Sequence, residues 1–268
     1  MEFSAERAVK IILALAACVT FAGCATYYNP ATQRREAVWL SIEQEKAIAR
    51  NTLEVKLKDR NIVSDARAER VMRRLTSSIE SPRIPEKNIV VYEDEDIQAF
   101  TPGGGFVALS TGLLRASNED ELAAVIAHEI GHDEARHVMK RVEANLGAQA
   151  LFSLAYLFDT RPAEKKDMSW QYFSQAAGVI YTLAANGFSR RDEYEADRLS
   201  ILYMYRAGYD PNAIITFFEK LKSLGRDTNW VYFLRSHPYL DERIEAAREE
   251  IKKYEFGSAP FETRGSYR

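Results

Sequence analysis

The chain has 268 residues, 46 % hydrophobic and 28 % charged, with a formal net charge of −3. Such a balance suits one globular domain able to bury a core. The charge is mildly negative and no basic run is interleaved with aromatics, so nucleic acid is not an expected partner.

In chain order, Arg7 and Lys10 precede an apolar run from Ile11 to Ala22. The run is too short to span a bilayer but has the length of a signal-peptide core. Phe21-Ala22-Gly23-Cys24 resembles a bacterial lipoprotein cleavage box, with Phe21 in place of the commoner leucine. That resemblance implies a signal peptide over residues 1–23 and lipid on Cys24. The chain would then be held in the periplasm of a Gram-negative bacterium, at the outer membrane because Ala25 follows the cysteine. Cys18 and Cys24 are the two cysteines, so the processed chain has no disulfide and depends on its core and on any bound metal.

Residues 24–34 read as a short tether, residues 35–256 as the domain and 257–268 as a tail. From Ser41 to Ile79 the apolar markers Ile42, Ile48, Leu53, Val55, Val63, Val71, Met72 and Leu75 have helical spacing, so two helices with a break near Asn61 are expected. After Pro82 and Pro85 the texture turns to β, with strands expected at Asn88–Tyr92 and Phe106–Ser110. Pro102-Gly103-Gly104-Gly105 between them reads as a hairpin turn, since it lacks the lysine of a phosphate-binding loop. The strand after that turn is expected at the sheet edge, where an extended peptide could add to free backbone groups. Edge strands are also ordinary architecture.

Residues 128–132 read His-Glu-Ile-Gly-His. Acidic residues at Glu119, Asp120 and Glu121 followed by Leu122-Ala123-Ala124-Val125-Ile126-Ala127 place this string on a helix. His128 and His132 then project from one face, about one turn apart, where two imidazoles can grip one zinc ion. Glu129 stands beside them as a carboxylate able to take a proton from water acidified by the metal. His137 falls about 140° away from His132, so it reads with Arg136 as a structural residue paired with acidic neighbours rather than a ligand.

Two apolar stretches follow, Leu146–Phe158 and Ala176–Asn186, both shorter than the about 20 residues that a spanning helix needs. They are expected as a buried helical hairpin, with a lid or membrane-dipping element as the other reading. Further helices are expected from Asp210-Pro211 to Leu224 and from Pro238 to about Tyr254. A hydrolytic zinc site needs a third protein ligand. The acidic stretch Asp192-Glu193-Tyr194-Glu195-Ala196-Asp197 supplies candidates, with Glu193 and Asp197 on one helix face and Glu195 about 200° from Glu193.

The order His128-Glu129-x-x-His132, then Glu193-x-Glu195-Ala196-Asp197 about sixty residues on, resembles the zinc metallopeptidase family of the CAAX prenyl endopeptidases and HtpX-like proteases. Arg136-His137, Ala99-Phe100, Thr111-Gly112-Leu113-Leu114, Ser236-His237-Pro238 and Arg243-Ile244 fit the same family order, whereas Gln98 stands where asparagine is commoner. All four histidines fall in these motifs. The resemblance is to the soluble, lipid-tethered periplasmic branch. It implies His128, His132 and Glu193 as ligands of one Zn²⁺, Glu129 as general base, and Asp197 as a partner of a ligand imidazole. His237 would either stabilise the oxyanion or plug the water position.

The expected fold is α+β, mainly α: a helical, gluzincin-like domain with a small antiparallel sheet beside the zinc helix. The expected activity is endopeptidase cleavage of misfolded or stalled envelope proteins. A zinc-bound chaperone or assembly factor with proteolysis suppressed by His237 is the alternative. A purely structural zinc site is disfavoured because such sites are usually closed by four ligands, often cysteines.

Overall fold

The computed structural model describes residues 25–80, 83–157, 187–224 and 231–255. Strands β1 (Ala25–Asn29) and β2 (Arg34–Val38) form an antiparallel hairpin. The segment expected to be a tether is thus corrected from residue 25 onward. The Tyr27 hydroxyl donates to the Glu134 carbonyl at 2.5 Å and Asn29 Nδ2 to the Ala135 carbonyl at 3.2 Å, which docks the hairpin on the domain. A short polar run hid this because its alternate side chains bind backbone rather than apolar surface.

Helix α1 (Ile42–Lys56) starts at a reciprocal cap between Ser41 and Gln44. The expected break holds the two-residue strand β3 (Ile62–Val63), and α2 (Ala66–Thr76) follows with Asp65 accepting from the Ala68 amide. Then come β4 (Asn88–Tyr92), β5 (Ala99–Gly103) and β6 (Phe106–Ser110). The sheet order is β3-β4-β6-β5. The chain leaves β4 for the outer position and returns through the glycine turn as β6, which runs antiparallel to β5 and parallel to β4. The sheet is therefore mixed, and the expected edge is corrected: β6 is paired on both sides and β5 is the edge. Pro102 concealed β5 from periodicity, yet an edge strand tolerates proline because it lacks one row of partners. Gly103, Gly104 and Gly105 all have positive φ, as the tight return requires.

Helices α3 (Thr111–Ala116), α4 (Glu119–Glu134) and α5 (His137–Leu157) come next. After them lie α6 (Arg190–Ala207), α7 (Ala213–Ser223), α8 (Val231–Ser236) and α9 (Leu240–Glu255). The architecture is α+β and mainly helical, as expected. Most of the stretch Leu146–Phe158 belongs to α5. The stretch Ala176–Asn186, the signal segment, Cys24 and the tail from 257 lie outside the described residues. Among the described residues no helix is long and apolar enough to cross a membrane.

The zinc-motif helix α4 is buried on nearly every side. Leu122, Ile126 and Ile130 recur every four residues with no exposed surface, in one core cluster with Val71, Leu75, Leu109, Leu199 and Tyr203. Each such side chain contributes about 1.5–3 kcal/mol on burial. Helix α6 crosses α4 closely at Gly131, where a Cβ would stand 2.8 Å from the Ala196 carbonyl oxygen. That approach sets His128 and His132 opposite Glu193 and Asp197.

Candidate metal centre

Helix α4 is started by Asn118 and Glu121, which cap each other's backbone amides, and α6 by Ser189 and Asp192 in the same way. The two helices bring His128, His132 and Glu193 together, and the turn after α8 adds His237: the four offer ligand atoms within 4.8 Å of one another, and all are buried. His128 Nε2 lies 3.0 Å from His132 Nε2 and 3.2 Å from His237 Nδ1. Glu193 Oε1 is 3.2 Å from His237 Nδ1 and 3.5 Å from His132 Nε2, while its Oε2 is 3.6 Å from His128 Nε2. Donors each about 2.0–2.1 Å from a tetrahedral zinc would stand about 3.3 Å apart. The observed spacings bracket that value.

The hydrogen bonds behind the imidazoles fix their tautomers. His128 Nδ1 meets Asp197 Oδ1 at 2.9 Å, closer than the 3.4 Å approach of Arg243 Nη2, so Nδ1 carries the proton and donates to the carboxylate. His137 Nε2 faces Glu195 Oε2 at 3.2 Å and its Nδ1 faces His132 Nδ1 at 2.8 Å. With Nε2–H donated to Glu195, His137 Nδ1 accepts from His132 Nδ1–H. Both arrangements leave an Nε2 lone pair turned toward the centre, as a metal ligand requires. Phe188 stacks on the His132 ring, with centroids 3.8 Å apart.

Arg243, on α9, is fully buried and closes the far side. Its Nε and Nη2 donate to Asp197 at 2.7 Å each, and Nη1 lies 2.6 Å from Glu193 Oε2. Burial alone would raise both carboxyls. Arg243 and the neighbouring histidines outweigh it, holding Asp197 below and Glu193 well below the usual carboxylate range. Glu129 is also held below its ordinary value against burial, chiefly by His237. His132 is pushed down to about 3 by burial, which keeps it neutral. His237 is pushed up to about 9 because Glu193 and Glu129 outweigh its burial.

Among the buried charges Glu129, Glu193 and Asp197 are negative and Arg243 is positive; a protonated His237 offsets a second carboxylate, and a divalent cation at their centre can replace that proton and neutralise the remaining charge. His237 Nε2 lies 3.2 Å from Glu129 Oε1, yet neither atom, nor Glu129 Oε2, completes a hydrogen bond. Buried polar atoms are rarely left so. The donor set therefore fits a zinc ion with the Glu129 carboxylate beside it.

All six residues singled out from sequence meet here. Arg243 was visible only as a flanking match, because nothing in a helical charged stretch marks one arginine as buried. His137 and Arg136 do pair with acidic neighbours, as expected, Arg136 with Glu45 and Glu143. His137 is nearer the centre than its helical angle suggested, because the chain turns between α4 and α5 through Arg136, whose φ is 59°. Glu195 pairs with His137 and Arg191 and is not among the four clustered donors.

A histidine pair on one helix and an acidic residue from a second helix crossing it form the ligand arrangement of a zinc metallopeptidase. The chain belongs to peptidase family M48, whose sequence profile matches residues 64–251. It is 33 % identical over 188 residues to the beta-barrel assembly-enhancing protease of Escherichia coli (strain K12), covering 67 % of this chain and 37 % of that protein. It is also 35 % identical over 151 residues to the mitochondrial metalloendopeptidase OMA1 of Arabidopsis thaliana, covering 56 % and 28 %. With metalloprotease LoiP of Escherichia coli (strain K12) the identity is 30 % over 166 residues, covering 61 % and 62 %. The match takes in a little over a third of the length of the first of these relatives.

Proposed function

We propose that this chain is a zinc metalloendopeptidase of the bacterial cell envelope in which His128, His132 and Glu193 hold the ion and Glu129 is the general base. The observation that carries this reading is the convergence of the two Nε2 atoms and the Glu193 carboxylate beside buried Glu129, whose Oε1 faces His237 Nε2 at 3.2 Å. Bound zinc supplies Lewis acidity to the scissile carbonyl and to the attacking water. Glu129 takes the proton from that water and returns it to the departing amine. Asp197 orients His128, and Arg243 keeps Glu193 and Asp197 ionised. An unfolded polypeptide adds along the outer edge of β5, which has no strand partner there among the described residues and packs against α4.

Misfolded or stalled envelope proteins are the proposed substrates. The similarity to a beta-barrel assembly-enhancing protease supports this, as does the lipoprotein-like N-terminus, which implies a periplasmic chain anchored through Cys24 at the outer membrane. Glu129→Gln is the test, made in both the wild-type and His237→Ala backgrounds. Casein hydrolysis is expected to fall by about 10²–10⁴ with zinc content unchanged. A variant that keeps its zinc and its rate removes the mechanism.

His237 has a second reading, favoured by position. Its Nδ1 stands among the ligand atoms, where a fourth donor excludes water, so the closed arrangement suppresses proteolysis and suits a chaperone or assembly factor. Faster casein cleavage by His237→Ala supports the plug. Loss of cleavage with zinc retained assigns His237 to catalysis.

A further inference from the structure

We propose that Trp39 and Leu146 form a membrane-contact face that seats the domain on a phospholipid bilayer beside the chain's N-terminal anchor. The proposal rests on the reading of Cys24 as an anchor for how the face reaches the membrane. The face itself follows from β1–β2 and α5. Trp39 is 60 % exposed and Leu146 46 % exposed. A Cβ on Gly147 would be 3.1 Å from the Trp39 ring, so the indole reaches α5 one residue along the chain from Leu146. The indole thus lies against the middle of α5 and turns its remaining surface outward.

The occupant is indicated by strand register. Ala25 pairs with Val38, so the residue before Ala25 and the residue after Val38 leave the same end of the hairpin. Consecutive Cα atoms are about 3.8 Å apart and paired strand residues about 5 Å, so Ala25 lies within about 9 Å of Trp39. An acylated Cys24 would bring the bilayer to the end of the hairpin where Trp39 stands. Tryptophan, with an apolar body and one N–H, partitions to that interface.

The face is joined rigidly to the metal centre. The Trp39 and Leu40 amides donate to Glu143 Oε1 at 2.9 and 3.0 Å, and Glu143 pairs with Arg136, the residue before His137. Seating Trp39 in lipid therefore sets the height of the metal centre over the membrane. That geometry selects chains emerging at the bilayer surface over those free in solution.

The experiment uses the full chain with Trp170→Phe and Trp230→Phe, so that Trp39 is its one tryptophan. It is bound to phosphatidylethanolamine–phosphatidylglycerol vesicles with or without brominated acyl chains. Trp39 emission is expected to shift to the blue and to be quenched by about half by shallow bromines. Trp39→Ser with Leu146→Ser, on the unsubstituted chain, is expected to release from the vesicles at least about tenfold more readily. Emission that stays red on vesicle-bound protein overturns the proposal. Emission that is blue but unquenched also overturns it, because the face is then covered by protein. Intact-mass measurement of acyl groups on Cys24 separately tests the anchor: lipid on Cys24 with Trp39 unquenched sinks this face alone, and quenching without acylation sinks the anchor alone.

Discussion

Replacing Arg243 by methionine asks whether one guanidinium compensates the carboxylates of the metal centre. Methionine keeps most of the volume, so the change is mainly one of charge. It removes two 2.7 Å donations to Asp197 and the 2.6 Å contact with Glu193, leaving two acids with at most 3 % of their surface exposed. Breaking a buried pair from one side costs about 3–5 kcal/mol. With a urea dependence of about 3 kcal/mol per molar, the upper end that suits a chain of this size, the metal-free unfolding midpoint is expected to fall by roughly 1–2 M. Saturating zinc should shrink that difference, because a divalent cation compensates the same carboxylates. Circular dichroism during urea unfolding, with chelator and then with zinc, measures both. A chelated variant whose midpoint stays within about 0.3 M of wild type would falsify the compensation argument. The sign with pH follows from the depressed carboxyls of Glu193 and Asp197. Their contribution to stability is complete above unfolded values of about 4 and is lost as pH falls through the folded ones. In the methionine variant those carboxyls rise, so acid unfolding is expected to begin at higher pH.

His137→Ala frees the His132 Nδ1 side, and zinc affinity is expected to drop by about 10–100-fold in competition with a chromophoric chelator. An unchanged affinity would mean that stacking on Phe188 alone orients His132. Gly131→Ala drives a methyl into the Ala196 carbonyl, for an expected loss of about 1–3 kcal/mol. In a melting curve that is roughly 2–4 °C per kcal/mol for a chain of this size, and an unshifted melt would show that the two helices can part freely. Glu143→Ala deprives the Trp39 and Leu40 amides and Arg136 of their acceptor. Hydrogen exchange over residues 25–40 should accelerate while the α4 core stays protected, and a uniform change across the chain would contradict local undocking.

The site was legible in sequence because its chemistry is local. His128, Glu129 and His132 lie within one turn of helix, and Glu193 with Asp197 needs only the same rule applied to a second helix. Arg243 and the relay from His132 through His137 to Glu195 are set by how α4, α5, α6 and α9 cross, which spacing along the chain does not encode. The same distinction runs through the fold. Helices with polar caps at Ser41, Asn118 and Ser189 matched expectation closely. Strand β5 was concealed by Pro102, and the hairpin at the N-terminus by side chains that hydrogen-bond across to α4. The parallel pairing of β4 with β6 depends on a strand inserted later in the chain, so no local pattern announces it.

Two ionic clusters at the C-terminal end of α4 explain how a helix buried on nearly all sides keeps its rotation. Asp133 and Glu134 place negative charge where the helix dipole disfavours it. Lys87, almost wholly buried, answers with contacts of 2.5 and 2.6 Å, and these two acids hold its ammonium above the ordinary lysine range against burial. On the other side Arg136 lies between Glu45 and Glu143, which ties α1 and the start of α5 to the same turn. Apolar packing alone is nondirectional, and Leu122, Ile126 and Ile130 would tolerate a helix rotated by some degrees. Charged contacts fixed from two sides do not, and they sit one residue and four residues beyond His132. Lys87→Met should therefore separate stability from function. It strands two buried acids and is expected to cost about 3–5 kcal/mol, whereas Lys87→Met with Asp133→Asn and Glu134→Gln should recover much of that stability. If the clusters set helix rotation, the triple variant still binds zinc more weakly than wild type. Wild-type affinity in that variant would show that the apolar core positions the histidines unaided.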